Sequence, residues 1–571
     1  MLSWPPCCRH NSPAHWAKVG ARNKTWRPVV PERGRVVSEQ QSGAGIGSTP
    51  LTRRQVLKGA LVVGASASLG SAIAACGGTP SGSQSSAASS SSQPKQGGNL
   101  RVGLSGGSAK ETMTGLTPTT EPMICFTFQL HSALLGWDAD YRLVNLLAES
   151  VDKNSDATVW QVKLRKDATF HDGSPVTADD VIHSYQLIID PKNPQQGVAS
   201  LSALKTDGMK KVDASTVEFH LTSPNAVFDE AMAAYYNCIL PVGFDQQAPI
   251  GAGPFRLSSF TPGEQAVFTP HADYFGEVPH VDQLTVIEFN DATARVNALI
   301  SGAVDAISQL PAAQVKIVEA GGQKVLNAET GAWQPFTMRI DQKPFDDVRV
   351  RQAFRLIPER SEMVTQAYAG YGSLGNDMYG PFDPGYPQDT MQRAQDLEQA
   401  KSLLKSAGYD NDLTVVLNTS EAVGSGAVAV AQVFAEQAKG AGVTVRINKV
   451  DPAVMFGDQY TKWTFAQTFW YTRNYLQQTA AGTLPTATEN ETHWKNDKWL
   501  ALVNEAIATG DSAKRNELVG EAQKIEYDEG GYIIWSFNNQ VDGYSSKLGG
   551  LVPDKSGVPL SSFHFNKVYF V

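Results

Sequence analysis

An α/β protein with more than one lobe is predicted from three observations. The chain has 571 residues, beyond one ordinary domain, and 42% hydrophobic with 18% charged residues is the composition of a globular protein with sizeable cores. Residues 159–190 read as a strand, a tight turn and an amphipathic helix. Residues 413–450 read as strand, helix and strand again, the β-α-β unit of an open α/β sheet. A net charge of −9 without a clustered basic face argues against nucleic-acid binding.

Taken in order, residues 1–50 scatter Arg, Pro, Trp and Cys without periodicity. They are expected either to be disordered or to lie upstream of the true start. Residues 51–76 run from basic to apolar to small: Arg53 and Arg54 precede a run rich in Ala, Gly and Ser, which ends at Cys76. That order resembles a twin-arginine export signal joined to a lipobox, in which Cys76 becomes the lipidated first residue. The run is shorter than the roughly 20 apolar residues a membrane-spanning helix requires, whereas the two acyl chains of a diacylglyceryl group would anchor stably. Residues 77–96, rich in Ser and Gly, cannot bury enough apolar surface to order themselves and are expected to be a tether.

The body begins with a strand near 97–104. At residues 159–164, Trp160, Val162 and Leu164 alternate with polar neighbours, so one strand face is buried. His171 to Pro175 form a turn, and Thr177 with Asp180 make a capping box before a helix whose stripe is Val181, Tyr185 and Ile188. The His171-Asp172 pair is read as part of the turn, since no partner His or Cys lies nearby at ligand spacing. Strands are expected at 217–221 and after the Gly251-Ala252-Gly253-Pro254 turn, and helices at 226–232 and 291–301. Residues 346–357 should be helical until Pro358 removes a donor and breaks the helix. Helices at 396–409, 427–440, 497–508 and 515–528 follow, then a strand at 532–537. Cys125 and Cys238 sit among apolar neighbours and are expected as buried free thiols rather than a disulfide.

Several of these segments resemble one family. LRKDATFHDGSPVTADDV at 164–181 looks like the hallmark of family 5 solute-binding proteins, the extracytoplasmic receptors of ABC importers for oligopeptides, dipeptides and nickel. The GGNLRVG opening, the LAES at 147–150, the GAGP turn, the KPFDDVRVRQAF block at 343–354 and the helix ending in AGY at 407–409 resemble that family too. The resemblance implies a large two-lobed, clam-like periplasmic-binding-protein fold of class C type. Lobe I would combine 97–330 with 536–571 and carry an extra subdomain near 130–248; lobe II would span 331–535. It also implies a monomeric, membrane-anchored lipoprotein on the extracytoplasmic face, which captures a small solute between its lobes and delivers it to an ABC permease.

Peptide binders of this family commonly show Trp-x-x-Asp-Tyr in the cleft, where the Asp pairs with the ligand's α-ammonium. Here the segment is Trp470, Tyr471, Thr472, Arg473, Asn474 and Tyr475, with Arg473 one residue before Asn474 and in the place of that Asp. A guanidinium cannot accept a hydrogen bond and repels an ammonium. The expected ligand therefore carries a carboxylate or other acceptor at this point, or is a non-peptide solute; the alternative is a shifted loop with Arg473 in solvent. Trp470 and Tyr471 offer flat surface to a ring, a sugar face or an apolar side chain. Thr120, Glu121 and Trp333 complete the candidate ligand-binding set.

Two other function classes compete. An exported hydrolytic enzyme would need a catalytic constellation, yet no HExxH or CxxC pattern occurs and no such constellation can be named. A cell-surface adhesin or chaperone on the same fold would be told from a receptor by the absence of a retained ligand. No metal, cofactor or nucleic-acid partner is expected.

Overall fold

The computed structural model describes residues 94–571 apart from 107, 108, 425 and 488. Arg53, Arg54, Cys76 and nearly all of the tether lie outside the described residues.

Two large sheets organise the body. The first has seven strands, with the opening strand Asn99–Ser105 near its middle. That strand runs parallel to Gln283–Phe289 on one side and to Ala306–Ile307 on the other. Its buried Leu100, Val102 and Leu104 face a core with Phe126, Phe255 and Phe268. The C-terminal strand Gln540–Tyr544 returns to this sheet, between Ala306–Ile307 and Lys324–Ala328. The second sheet has five strands, built from Val443–Lys449, Leu413–Thr419, Phe465–Gln467, Phe336–Met338 and Tyr532–Ile533 in that spatial order. Leu413–Thr419 and Val443–Lys449 are parallel and joined by the helix Ala427–Lys439, as the strand-helix-strand pattern requires.

A smaller antiparallel sheet of four strands, between residues 148 and 221, has its own core of Trp160, Val162, Phe170, Tyr185 and Phe219. The helix Ala178–Ile188 covers it and starts where the capping box demands: Thr177 donates to Asp180 Oδ2 from its backbone N at 2.9 Å and from its hydroxyl at 2.7 Å. His171 is a structural bolt. It is 6% exposed and accepts from Gly251 N at 3.2 Å, with its other ring nitrogen 3.2 Å from Gly253 O. Burial lowers its pKa to about 4, so it stays neutral. Gly251 and Gly253 are needed there because a Cβ on either would meet the carbonyl oxygens of Leu130 or Gln129 at 2.0 and 2.3 Å.

Pro358 separates the helices Val348–Leu356 and Arg360–Tyr368, as its missing donor predicts. Cys125 and Cys238 are free and buried. One expectation is corrected: residues 532–537 are not a single strand. Tyr532–Ile533 belongs to the five-stranded sheet, and Ser536–Asn538 pairs with Gly372–Leu374 instead.

The chain passes between the two large sheets at 329–335 and again at 534–539. These crossings lie side by side: Thr330 Oγ1 donates to Asn538 O at 2.6 Å, and Asn538 N donates to Ala332 O at 2.7 Å. Such a pair of adjacent crossings is where a two-lobed protein can hinge.

Candidate ligand-binding cleft

A cavity of about 630 Å³ opens at the crossings. From the first sheet's side come Ser105, Asn290, Arg295 and Gln309; from the second sheet's side come Trp333, Gln334, Tyr368, Phe469, Trp470 and Tyr471. Asn538 and Asn539, on the second crossing, lie between these two sets in the chain path and complete the polar part of the lining.

The aromatic wall is built by strand geometry. Beyond Phe465–Gln467 the chain stays extended, and Trp470 exchanges both backbone hydrogen bonds with Trp333 at 2.9 Å. Successive residues of an extended chain point to opposite sides. Phe469 and Tyr471 thus meet edge to face at 5.7 Å, while Trp470 stacks towards Trp333 with centroids 6.3 Å apart. Trp333 in turn stacks on Tyr379 at 5.4 Å, and Tyr379 on Tyr475 at 5.1 Å. This stack anchors the wall in a core that includes Trp494, Trp499 and Ile534. Tyr471 stands out from it, 53% exposed.

The remaining residues of that segment serve other tasks. Thr472 accepts from Gly331 N and donates to Lys555 O, both at 2.9 Å, and its carbonyl accepts from Tyr141 Oη at 2.9 Å. It pins the first crossing to Tyr141 and Lys555. Arg473 does not line the cavity; its guanidinium lies 5.3 Å over the Trp470 ring and donates to Gln478 Oε1 at 3.3 Å. Asn474 donates to Glu230 Oε1 at 2.8 Å. Tyr475 is fully buried, donating to Glu526 Oε2 at 2.5 Å and accepting from Trp499 Nε1 at 2.8 Å. As a ligand contact Tyr475 is therefore corrected: it belongs to the core under the aromatic wall. Burial raises the Glu526 carboxyl to about 7, against the stabilising donors Tyr475 and Tyr379.

On the opposite wall, Thr120 caps the helix Glu121–Leu130 and donates to Glu111 Oε1 at 3.2 Å, away from the cavity lining. Glu121 is partly exposed beside two residues that line the cavity. Its Oε1 accepts from Ser105 N at 3.2 Å and from Ser308 Oγ, and its Oε2 accepts from Gln309 Nε2. Burial raises its carboxyl to about 7; the Ser308 and Ser105 donors and Arg295 pull the other way, while Asp542 adds to the rise.

Of the candidates, Trp333, Trp470 and Tyr471 come together at the cavity, with Glu121 at its edge. Sequence reasoning missed Tyr368, Gln309, Arg295, Gln334 and the amides Asn538 and Asn539. The run Asn538-Asn539-Gln540, three amides where the chain was expected to change lobes, was the available signal. Among the described residues no group of His, Cys, Asp and Glu could hold a metal ion, and no helix is long and apolar enough to cross a membrane.

The sequence pattern described as bacterial extracellular solute-binding proteins, family 5 Middle, matches residues 142–492. More than half of the chain lies in that match, so the protein belongs to this family, whose members are extracytoplasmic binding proteins of ABC importers. It is 25% identical to the glutathione-binding protein of Pectobacterium atrosepticum over 450 residues, 74% of this chain and 86% of that one. It is likewise 25% identical to the dipeptide-binding protein of Escherichia coli (strain K12) over 463 residues, 74% of this chain and 85% of that one. Among solved structures, the agropinic-acid complex of a binding protein from Agrobacterium tumefaciens R10 superposes with a TM-score of 0.70 at 24% identity, covering 83% of this chain and 99% of that one. The oligopeptide-binding protein of Bacillus subtilis with a nonapeptide gives 0.69 at 22% identity, covering 84% and 100%. The fold is the two-lobed periplasmic-binding-protein fold of that family.

Proposed function

We propose that this protein captures a small solute in the cleft between Trp470 and Gln309 and hands it, unaltered, to an ABC permease. The observation that carries this reading is the cavity itself. At about 630 Å³ it falls within the range of roughly 300–1,000 Å³ usual for small-molecule sites. It also lies where the two crossings meet, so a ligand touching both walls would bind the closed form better and shift the population towards it. Lobe I is read as 97–330 with 536–571 and lobe II as 331–535. The four-stranded sheet belongs to the subdomain of lobe I.

The ligand is read as peptide-like or as another amino-acid derivative, in keeping with relatives named for glutathione and dipeptides. Trp470 and Tyr471 supply a flat face for its ring or apolar part. Arg473 uses one of its five donors in a hydrogen bond, to Gln478, and is partly exposed behind Trp470. A ligand carboxylate or other acceptor reaching past the tryptophan would find it there, and not the carboxylate that holds an ammonium in peptide binders. The protein is further read as a monomeric lipoprotein, exported through Arg53 and Arg54 and held at the membrane by Cys76.

Native mass spectrometry of the chain purified from its own host tests the binding reading: a retained small solute, released on unfolding and chemically intact, is the expected result. A solute converted to product on incubation would replace this reading with an enzymatic one. For the anchor, Cys76→Ala should leave an unprocessed or released protein, and a processed, membrane-bound variant would contradict the lipobox.

A further inference from the structure

The wall facing the aromatic one is arranged around acceptors. Arg295 is the one charged residue among the described residues that line the cavity, and its guanidinium is occupied: Nε donates to Ser308 O at 3.1 Å and Nη2 to Gln309 O at 3.2 Å. Two carboxylates, Glu121 and Asp542, flank it, so the formal charge of the three groups is negative. Asp542 is committed to structure, accepting from Gln309 N at 2.9 Å, Gln540 Nε2 at 2.6 Å and Leu560 N at 2.6 Å. Glu121 is partly exposed and bonded to Ser105 and Gln309, which line the cavity.

Gln309 shows how firmly this edge is held. Its φ of +47° is left-handed, a conformation a residue with a Cβ adopts at a cost of order 1–3 kcal/mol. Bonds from both sides of its backbone, to Asp542 and from Arg295, fix it there and direct its side chain to Glu121. An ionised carboxylate has about four acceptor positions, of which Ser105, Ser308 and Gln309 occupy three. The amide oxygens of Asn538 and Asn539, both in residues lining the same cavity, are buried and have no donor.

We propose that Glu121, with Gln309 and the Asn538 and Asn539 amide oxygens, forms a cation subsite that takes an ammonium or guanidinium group of the ligand against the wall opposite Trp470. This rests on the reading of the cleft as the ligand site. It adds an orientation: the cationic group of the solute lies on the lobe I side and its flat or apolar part on the lobe II side. The ligand class is thereby narrowed to amines and guanidines that bear a ring or apolar group.

Calorimetry on the full chain tests it with pairs that differ in one cationic group: dipeptides beside the N-acetyl dipeptides, and N-acetylarginine beside N-acetylcitrulline. The members with the cationic group should bind about ten- to a hundredfold more tightly than the partners without it, the range of a charge-assisted hydrogen bond. Glu121→Gln should remove that difference. If both members of each pair bind equally to the unmodified protein, the cation subsite is overturned and the cleft reading stands. If no pair binds at all, the cleft reading fails and the subsite with it. The comparison within pairs needs no variant, so it holds even if Glu121→Gln does not fold.

Discussion

The two walls of the cleft solve the same problem in different ways. The aromatic wall is rigid because it is apolar: Trp333, Tyr379 and Tyr475 stack in succession and rest on a tryptophan-rich core. The facing wall is rigid because it is polar: Glu121, Arg295, Gln309 and Asp542 hold one another through hydrogen bonds to side chains and backbone. An apolar wall gives area with little direction, whereas a polar one gives direction with little area. A receptor that must hold a solute tightly enough to close, yet select it, has reason to use both.

That contrast can be broken from either side. The largest effect is expected from Trp333→Ala. Trp333 is 1% exposed and sits between Trp470 and Tyr379, so its truncation should destabilise the fold by about 3–5 kcal/mol and weaken ligand binding as well. Chemical denaturation checks this, and a change below about 1 kcal/mol would show that the stack is not what supports the wall. Arg473→Ala comes next. If the ligand presents an acceptor behind Trp470, affinity should fall about ten- to a hundredfold, with stability nearly unchanged because the side chain is partly exposed. Unaltered affinity by calorimetry would place Arg473 outside the site.

Three buried acids give a pH signature. Burial raises Glu230 to about 8 and Glu491 and Glu526 to about 7, from an ordinary 4.5. In the folded state these groups keep protons that the unfolded chain releases, so stability falls as pH rises from about 4.5 through those values. His131 and His171 act oppositely: burial lowers them to about 3 and about 4, so stability falls as pH drops below 6.5. Between pH 6.5 and 8 the unfolded histidines go from half to almost fully neutral, and the acids dominate the change in stability. The thermal midpoint should therefore decrease steadily over that interval; a flat or rising profile would mean that the buried glutamates are ionised throughout. The smallest effect belongs to Tyr471→Phe, which removes a hydroxyl from a residue that is 53% exposed and should change stability by no more than about 0.5 kcal/mol.

Much of the fold was legible because local chemistry dictates it. The turn at His171–Pro175, the Thr177–Asp180 capping box and the break at Pro358 each follow from residues within a few positions of one another. Residues 532–537 were misread as one strand because every position but Ser536 is apolar or aromatic, and all six are buried. Nothing local marks where the chain leaves one sheet for another. The site was legible in part. Trp470 and Tyr471 stood in a recognisable segment, but Tyr475, four residues on, is an aromatic of the same kind that turns into the core. Gln309, Arg295 and Asn538 come from segments far apart in sequence and meet only through the sheet order, which periodicity does not encode.

A crystal structure of the protein purified with whatever solute it retains would test the central claim most directly. The solute should lie in the cavity at the crossings, with its flat or apolar part on Trp470 and Tyr471 and its other end at Ser105 and Gln309. A solute bound elsewhere on the molecule, with this cavity filled only by water, would contradict the assignment of the cleft.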